Sequence, residues 1–227
     1  PHTDLIGMRA ADVRALWPLP GPRDDKYTQG VVGILAGSVR YPGAAILCSG
    51  AAVAATSGMV RYAGAAAGDV VSHWPEVVVA PTPSDAGRVQ AWCVGPGMGT
   101  DQDAFAALTF ALSTDLPVLV DADGLTMLAA NQHLVTNRNA PTVLTPHAGE
   151  FERFGLGPVG DDRVAAARRL ADAMGATVLL KGHVTVIAGS DATYLSPAGA
   201  SWAATAGAGD VLSGIIGALL AAGLPAA

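Results

Sequence analysis

Residues 91–124, "AWCVGPGMGTDQDAFAALTFALSTDLPVLVDADG", carry the pattern from which the architecture can be read. It begins with an apolar run that ends in a glycine turn, 91–97. Residues 102–113 then repeat apolar side chains at helical spacing. Residues 117–124 return to a short uninterrupted apolar run that ends in two acids. Strands that are apolar throughout, rather than alternating, and that take turns with helices belong to a mostly parallel sheet covered on both faces.

The same pattern extends in both directions. "VVGILAGS" (31–38) reads as a buried strand, 43–62 as a helix, and "VVSHWPEVVVAP" (70–81) as one or two short strands. "TVLTPHAGE" (142–150) is a strand ending in polar residues, and 161–174 is a helix capped by Asp161 or Asp162. "TVLLKG" and "VTVIAG" read as two strands joined at Gly182 and His183, "ATYLS" as one more, and a last helix starts near Gly209. With no internal repeat and no linker, the expectation is one α/β domain over residues 1–227.

Composition narrows the class. The chain has 227 residues, is 51% hydrophobic and 14% charged, and carries a net charge of −6. It can fill a sizeable core. The only lysines are Lys26 and Lys181, and the arginines are scattered apart from a cluster at Arg163, Arg168 and Arg169 with helical spacing, so no basic stripe offers itself to nucleic acid. Cys48 and Cys93 sit in apolar runs and read as small core residues; there is no CxxC and no HExxH. The uncharged run between Arg40 and Arg61 is broken by Gly, Ser and Thr, which favours a buried helix over a membrane span. The start, "PHTDLIGMRAADV", lacks the pattern of a signal peptide. A cytoplasmic enzyme with no membrane partner is the expectation.

The chemically interesting residues follow strand ends: Gly37 and Ser38, the 95–97 turn, Asp121 and Asp123, His147 and Glu150, and Lys181. In open α/β sheets ligands bind at those ends, so these segments are expected to share one cleft. "ATAGAGDVLSG" (204–214) adds a helix start that is free of bulky side chains and holds one carboxylate, Asp210. Unpaired N–H groups and the helix dipole suit a phosphate there. Asp210 is either a cap or a base beside that anion. "GPGMG" (95–99) is GxGxG, not the GxGxxG of dinucleotide folds, and reads as a turn that admits a ligand or as a plain turn. The acids of "VDADG" could hold a metal, cap the next helix or brace neighbouring loops, and capping or bracing is the simpler reading. His147 reads as a loop residue or a site residue, and Glu150 as a first-turn acid or a Mg2+ ligand through water. Lys181 lies in a hairpin turn or contacts a nucleotide. Neither a Walker A loop nor a GxSxG elbow is present.

Taken in order, "KYTQGVVGILAGSVRYPGAAILCSGAA", "GPGMG", "VDADGL", "LTPHAGEFER", "LLKG" and "TAGAGDVLSGIIGALLAAG" resemble the ADP/ATP-dependent NAD(P)H-hydrate dehydratases, a branch of the ribokinase-like superfamily, from Lys26 to Gly223. The resemblance implies a three-layer α/β/α sandwich and a hydro-lyase that repairs hydrated NADH or NADPH at the expense of ADP or ATP. The ring hydroxyl is phosphorylated and the phosphate is then eliminated. By position, Asp210 would be the essential acid beside that hydroxyl. Gly207, Ala208 and Gly209 would cradle the transferred phosphate. Lys181, Gly182, His183, Val184 and Thr185 would contact the AMP portion. Ala44, Gly97 or Gly99, and His147 would line the hydrate pocket. Mg2+ would bridge the phosphates with Glu150 as the matching acid. The resemblance also implies a homo-oligomer, a tetramer, further helix beyond Ala227, and in several relatives an epimerase domain upstream, of which this sequence holds no sign.

Where members commonly show "GGTGD", this chain has Ala206-Gly207-Ala208-Gly209-Asp210, which looks like the motif of ribokinase-like sugar kinases. Two other readings therefore stand beside the first: a kinase for a small alcohol such as a vitamin precursor, and a nucleotide-binding protein without turnover.

Overall fold

The computed structural model describes residues 5–55, 58–196 and 203–227. Among them the chain forms ten strands: β1 (Leu5–Gly7), β2 (Val31–Leu35), β3 (Met59–Ala63), β4 (Val78–Ala80), β5 (Ala91–Val94), β6 (Val118–Val120), β7 (Thr142–Leu144), β8 (Thr177–Leu180), β9 (Thr185–Ala188) and β10 (Thr193–Ser196). The helices are α1 (Ala10–Leu16), α2 (Pro42–Ala54), α3 (Ala67–His73), α4 (Gln102–Ser113), α5 (Ala122–Ala129), α6 (His133–Thr136), α7 (Ala148–Glu152), α8 (Arg163–Met174) and α9 (Ala208–Ala221). All ten strands join one sheet in the order β1-β10-β9-β8-β7-β6-β5-β2-β3-β4. Every neighbouring pair is parallel except the two that β9 makes, with β8 and with β10, so β9 alone among these strands runs against the rest.

The expected three layers are present. Val32, Ile34, Cys93, Leu119 and Val143 point to the face covered by α2, α3 and α9. Their strand neighbours Val31, Leu35, Trp92, Val94, Val120 and Leu144 point to the face covered by α4 to α8. Burial on both faces is why these strands carry no polar alternation. Cys48 and Cys93 are free and buried, with their sulfurs 3.5 Å apart across the α2–β5 contact, as expected of core residues. α9 lies close against α2, and a Cβ on Gly214 would collide with the carbonyl of Cys48.

Local signals place the helix starts. Asp101 accepts from Ala104 N at 2.9 Å and caps α4; Asp162 accepts from Ala165 N at 2.9 Å and caps α8, which ends at Gly175 in the left-handed region. The helix expected over 43–62 stops at Ala54, and the end of that run is strand β3; residues 56 and 57 lie outside the described residues. Uncharged apolar sequence fits a buried helix and a buried strand equally well, so composition carried the helix too far. In 70–81 only Val78–Ala80 is strand, because residues 70–73 finish α3. No described helix is long and apolar enough to cross a membrane.

The chain leaves β2 for β3 and β4 on one side, then returns to build β5, β6, β7 and β8 on the other. The order therefore reverses between β2 and β5. A crevice for ligands forms at the C-terminal ends of strands at such a point.

Candidate active site

The loops after β2, β5, β6, β7 and β8 open at the same end of the sheet and are tied to one another. Gly37 N donates to Pro96 O at 2.7 Å, and Lys181 N donates to Pro146 O at 2.8 Å. Gly95, at φ +124°, lies so close to Asp121 that a Cβ would strike the Asp121 carbonyl. Gly99 N donates to Asp123 Oδ2 at 2.9 Å, so Asp123 braces the 95–99 turn, which is one of the roles read for that acid. Between the two acids Ala122 takes φ +49°, the sole positive φ outside glycine among the described residues. Strain of that kind gathers where a site is held to a set geometry.

At the centre is a charged cluster. Lys181 Nζ lies 2.6 Å from Asp121 Oδ1 and 3.7 Å from Glu150 Oε2. Ser213, one turn into α9, donates to Asp121 Oδ2 at 2.8 Å. The Asp121 side chain is only 2% exposed and that of Lys181 21%. Both Asp121 oxygens are engaged, so this acid works as a fixed counter-charge. It holds the ammonium toward the start of α9, where a Cβ on Gly209 would stand 3.7 Å from Lys181 Nζ and 3.7 Å from Asp121 Oδ2.

Asp210 lies in the first turn of α9, half-buried. Burial pushes its carboxyl above the usual carboxylate range, and the charges of Asp121 and Asp123 push the same way while Lys181 opposes them. Gly207 supplies the left-handed N-cap at φ +87°, and Leu47 of α2 occupies the space that a side chain there would need. The structure thus brings Asp210, Gly209 and Lys181 together, and Glu150 links His147 to them.

His147 and Glu150 cap α7 reciprocally. His147 Nδ1 accepts from Gly149 N at 3.0 Å and Glu150 N at 3.3 Å, while Glu150 Oε2 accepts from His147 N at 2.9 Å. A ring that accepts at Nδ1 carries its proton on Nε2 when neutral. That Nε2 lies 3.5 Å from Glu150 Oε1 on a side chain that is 56% exposed, so it can donate to a ligand. Ala44 and Gly97 touch, since a Cβ on Gly97 would stand 2.6 Å from that of Ala44. Gly182, His183 and Val184 are exposed on the β8–β9 hairpin, which Arg163 braces by donating to Lys181 O at 3.0 Å. Among the described residues no group of three His, Cys, Asp or Glu is placed to hold a metal. Mg2+ commonly takes one or two carboxylates and fills its shell with phosphates and water. Glu150, already a hydrogen-bond acceptor beside an ammonium, suits only a water-mediated contact of that kind.

Asp121 stood among the strand-end residues expected in the cleft, but its pairing with Lys181 did not emerge from the sequence, and Ser213 did not emerge at all. The signals were there: Ser213 lies three residues after Asp210 in an apolar helix, and Lys181 is one of two lysines.

A sequence profile described as NAD(P)H-hydrate dehydratase matches residues 32–227. The bifunctional NAD(P)H-hydrate repair enzyme of Mycobacterium tuberculosis is 73% identical over 225 residues, covering 99% of this chain and 48% of that protein. The chain spans about half the length of such relatives. The ADP-dependent (S)-NAD(P)H-hydrate dehydratase of Neisseria meningitidis serogroup B is 38% identical over 214 residues, 88% of this chain and 72% of that one. The crystal structure of the ADP/ATP-dependent NAD(P)H-hydrate dehydratase of Bacillus subtilis, co-crystallised with ATP and Mg2+, aligns with TM-score 0.80 at 28% identity over 93% of this chain and 83% of that chain. A ribokinase-like superfamily protein of Enterococcus faecalis shares the fold, with TM-score 0.87 at 22% identity over 97% of this chain and 81% of that chain.

Proposed function

Since the chain belongs to the NAD(P)H-hydrate dehydratase family, we propose that it restores NADH or NADPH from the hydrated cofactor in a nucleotide-dependent hydro-lyase reaction. With ADP, the hydroxyl of the hydrated ring attacks the terminal phosphorus and AMP leaves. The C–O bond to the ring phosphate then breaks, inorganic phosphate leaves, the neighbouring ring carbon gives up a proton to water, and the ring double bond returns. The observation that carries this reading is Asp210: a half-buried carboxylate of raised pKa, in the first turn of α9 and beside Lys181.

Each residue has a task that its surroundings support. An acid with a raised pKa is a stronger base when ionised, so Asp210 takes the hydroxyl proton as the new O–P bond forms. The N–H of Gly209 in the first turn of α9 faces the negative charge on the phosphoryl group, while that of Ala208 donates to Thr205 O at 3.3 Å and holds the turn. Lys181, aimed by Asp121, neutralises the same charge. Asp121 is a positioning residue, since both its oxygens are taken. His147 Nε2–H, Ala44 and the 97–99 turn border the hydrate, and residues 181–185 border the nucleotide. Mg2+ would arrive with the nucleotide and spread its phosphate charge, with Glu150 as the residue that holds it through water. A homo-oligomer and a cytoplasmic location are part of the same proposal.

The test is incubation with hydrated cofactor plus ADP or ATP, following both the absorbance of the reduced nicotinamide and the release of phosphate. Wild type is expected to return both, and Asp210→Asn neither, while keeping its fold. Full activity in that variant refutes the role of Asp210. A stable phosphorylated alcohol as product marks a kinase instead.

A further inference from the structure

A cavity of about 1230 Å3 opens at the C-terminal ends of β2, β3, β4 and β5, against the first turns of α4. Asp210, Lys181, Asp121 and Glu150 are not in its walls. Gly99 is, and this residue joins it to the cluster: Gly99 N donates to Asp123, and the charge of Asp123 acts on Asp210. The cavity thus reaches the glycine turn that Asp123 braces.

We propose that this cavity receives the adenosine end of the dinucleotide substrate, and that its acidic rim favours the substrate whose adenosine ribose carries free hydroxyls over the one that carries a phosphate there. The inference rests on the function proposed above. A hydrated ring beside Asp210 leaves a second nucleoside and a pyrophosphate to be housed.

The wall chemistry matches. Tyr41 is a large aromatic that is 48% exposed at the cavity, with the Arg40 guanidinium 5.2 Å from its ring centroid. Such a ring is a stacking surface for a base, and Arg40, the one cation among the lining residues, suits the pyrophosphate. The opposite wall is the start of α4. A helix start ordinarily attracts phosphate, but this one already holds Asp101 as its cap and Asp103 in its first turn. Carboxylates accept hydrogen bonds from ribose hydroxyls and repel a phosphate on the same ribose.

Hydrated NADH, hydrated NADPH and the hydrate of reduced nicotinamide mononucleotide separate the possibilities. Wild type is expected to show the highest kcat/KM with hydrated NADH. Ala107→Trp, which fills the cavity from α4, closes the gap between the NADH and mononucleotide hydrates by raising KM for the dinucleotide. Asp103→Lys shifts the NADPH-to-NADH ratio of kcat/KM upward by about tenfold, the effect of reversing a unit charge near a phosphate at a protein surface. Equal kcat/KM for mononucleotide and dinucleotide in wild type, or a ratio that Asp103→Lys does not move, overturns the proposal. A calorimetric titration with adenosine diphosphoribose at saturating ADP reads the cavity without turnover. Binding that Ala107→Trp abolishes supports the cavity even where no hydrate is consumed, and no binding refutes it whatever the activity.

Discussion

Replacing Asp121 by asparagine removes the counter-charge of a buried ammonium while keeping the size of the side chain. The pair it breaks is short, 2.6 Å, with one partner 2% exposed and the other 21%. Removing one member of a buried ion pair destabilises by about 3–5 kcal/mol. Two features place this case at the low end. Lys181 keeps Glu150 at 3.7 Å, and the asparagine oxygen still accepts from Ser213. A loss of about 3 kcal/mol is the expected outcome. With an unfolding entropy of about 2.1 cal/mol/K per residue, that loss lowers Tm by about 6 °C for a chain of 227 residues. The assay is a double-mutant cycle by urea titration with Asp121→Asn, Lys181→Met and the pair together. The double variant is expected to recover about 2 kcal/mol relative to the sum of the singles, since neither member of the pair is then left charged, and the loss of the ammonium by Glu150 is common to both Lys181→Met variants and cancels in the cycle. Additivity to within about 0.5 kcal/mol would show that the two groups do not interact, and the account of the ammonium's orientation would fail with it.

Three further outcomes follow from the site. Asp210 has a folded-state pKa above its unfolded one, so its contribution to stability is fully present below the unfolded pKa and is lost as pH rises through the folded value. Asp210→Asn is therefore expected to be more stable than wild type at neutral pH and equal to it in acid; urea midpoints measured across that range check this, and a variant less stable at pH 7 contradicts it. His147→Ala loses the α7 cap and about 1 kcal/mol, whereas His147→Asn keeps a good cap. If the ring also donates to the hydrate, both variants raise KM equally although only one lowers Tm. Gly214→Ala drives a methyl into the Cys48 carbonyl between α2 and α9 and is expected to cost about 1–3 kcal/mol by thermal unfolding, with no loss if the two helices do not touch there.

Much of this was legible in the chain. The α4 and α8 helices begin where Asp101 and Asp162 stand, because a cap acts on N–H groups only three residues away. Polar residues directly after apolar strands marked Glu150 and Lys181, and a carboxylate in a glycine-rich helix start marked Asp210. The errors arose where local signals are silent. Between Arg40 and Arg61 an Ala- and Gly-rich buried helix passes into a buried strand without any change of polarity, and at 70–73 two valines and a serine finish a helix instead of starting a strand. His147 was open to two readings because a cap and a ligand donor use different nitrogens of the same ring.

Periods, caps and the end of each strand at which polar groups appear could be read along the chain, because those depend on neighbours within a turn or two. Which acid answers Lys181, and which hydroxyl answers that acid, became visible only once the chain was folded. Asp121 is 60 residues from the lysine and 92 from Ser213 along the chain, and only the order of strands in the sheet brings them within hydrogen-bond reach. Coulombic and hydrogen-bond energies depend on distance in space, which no periodicity encodes.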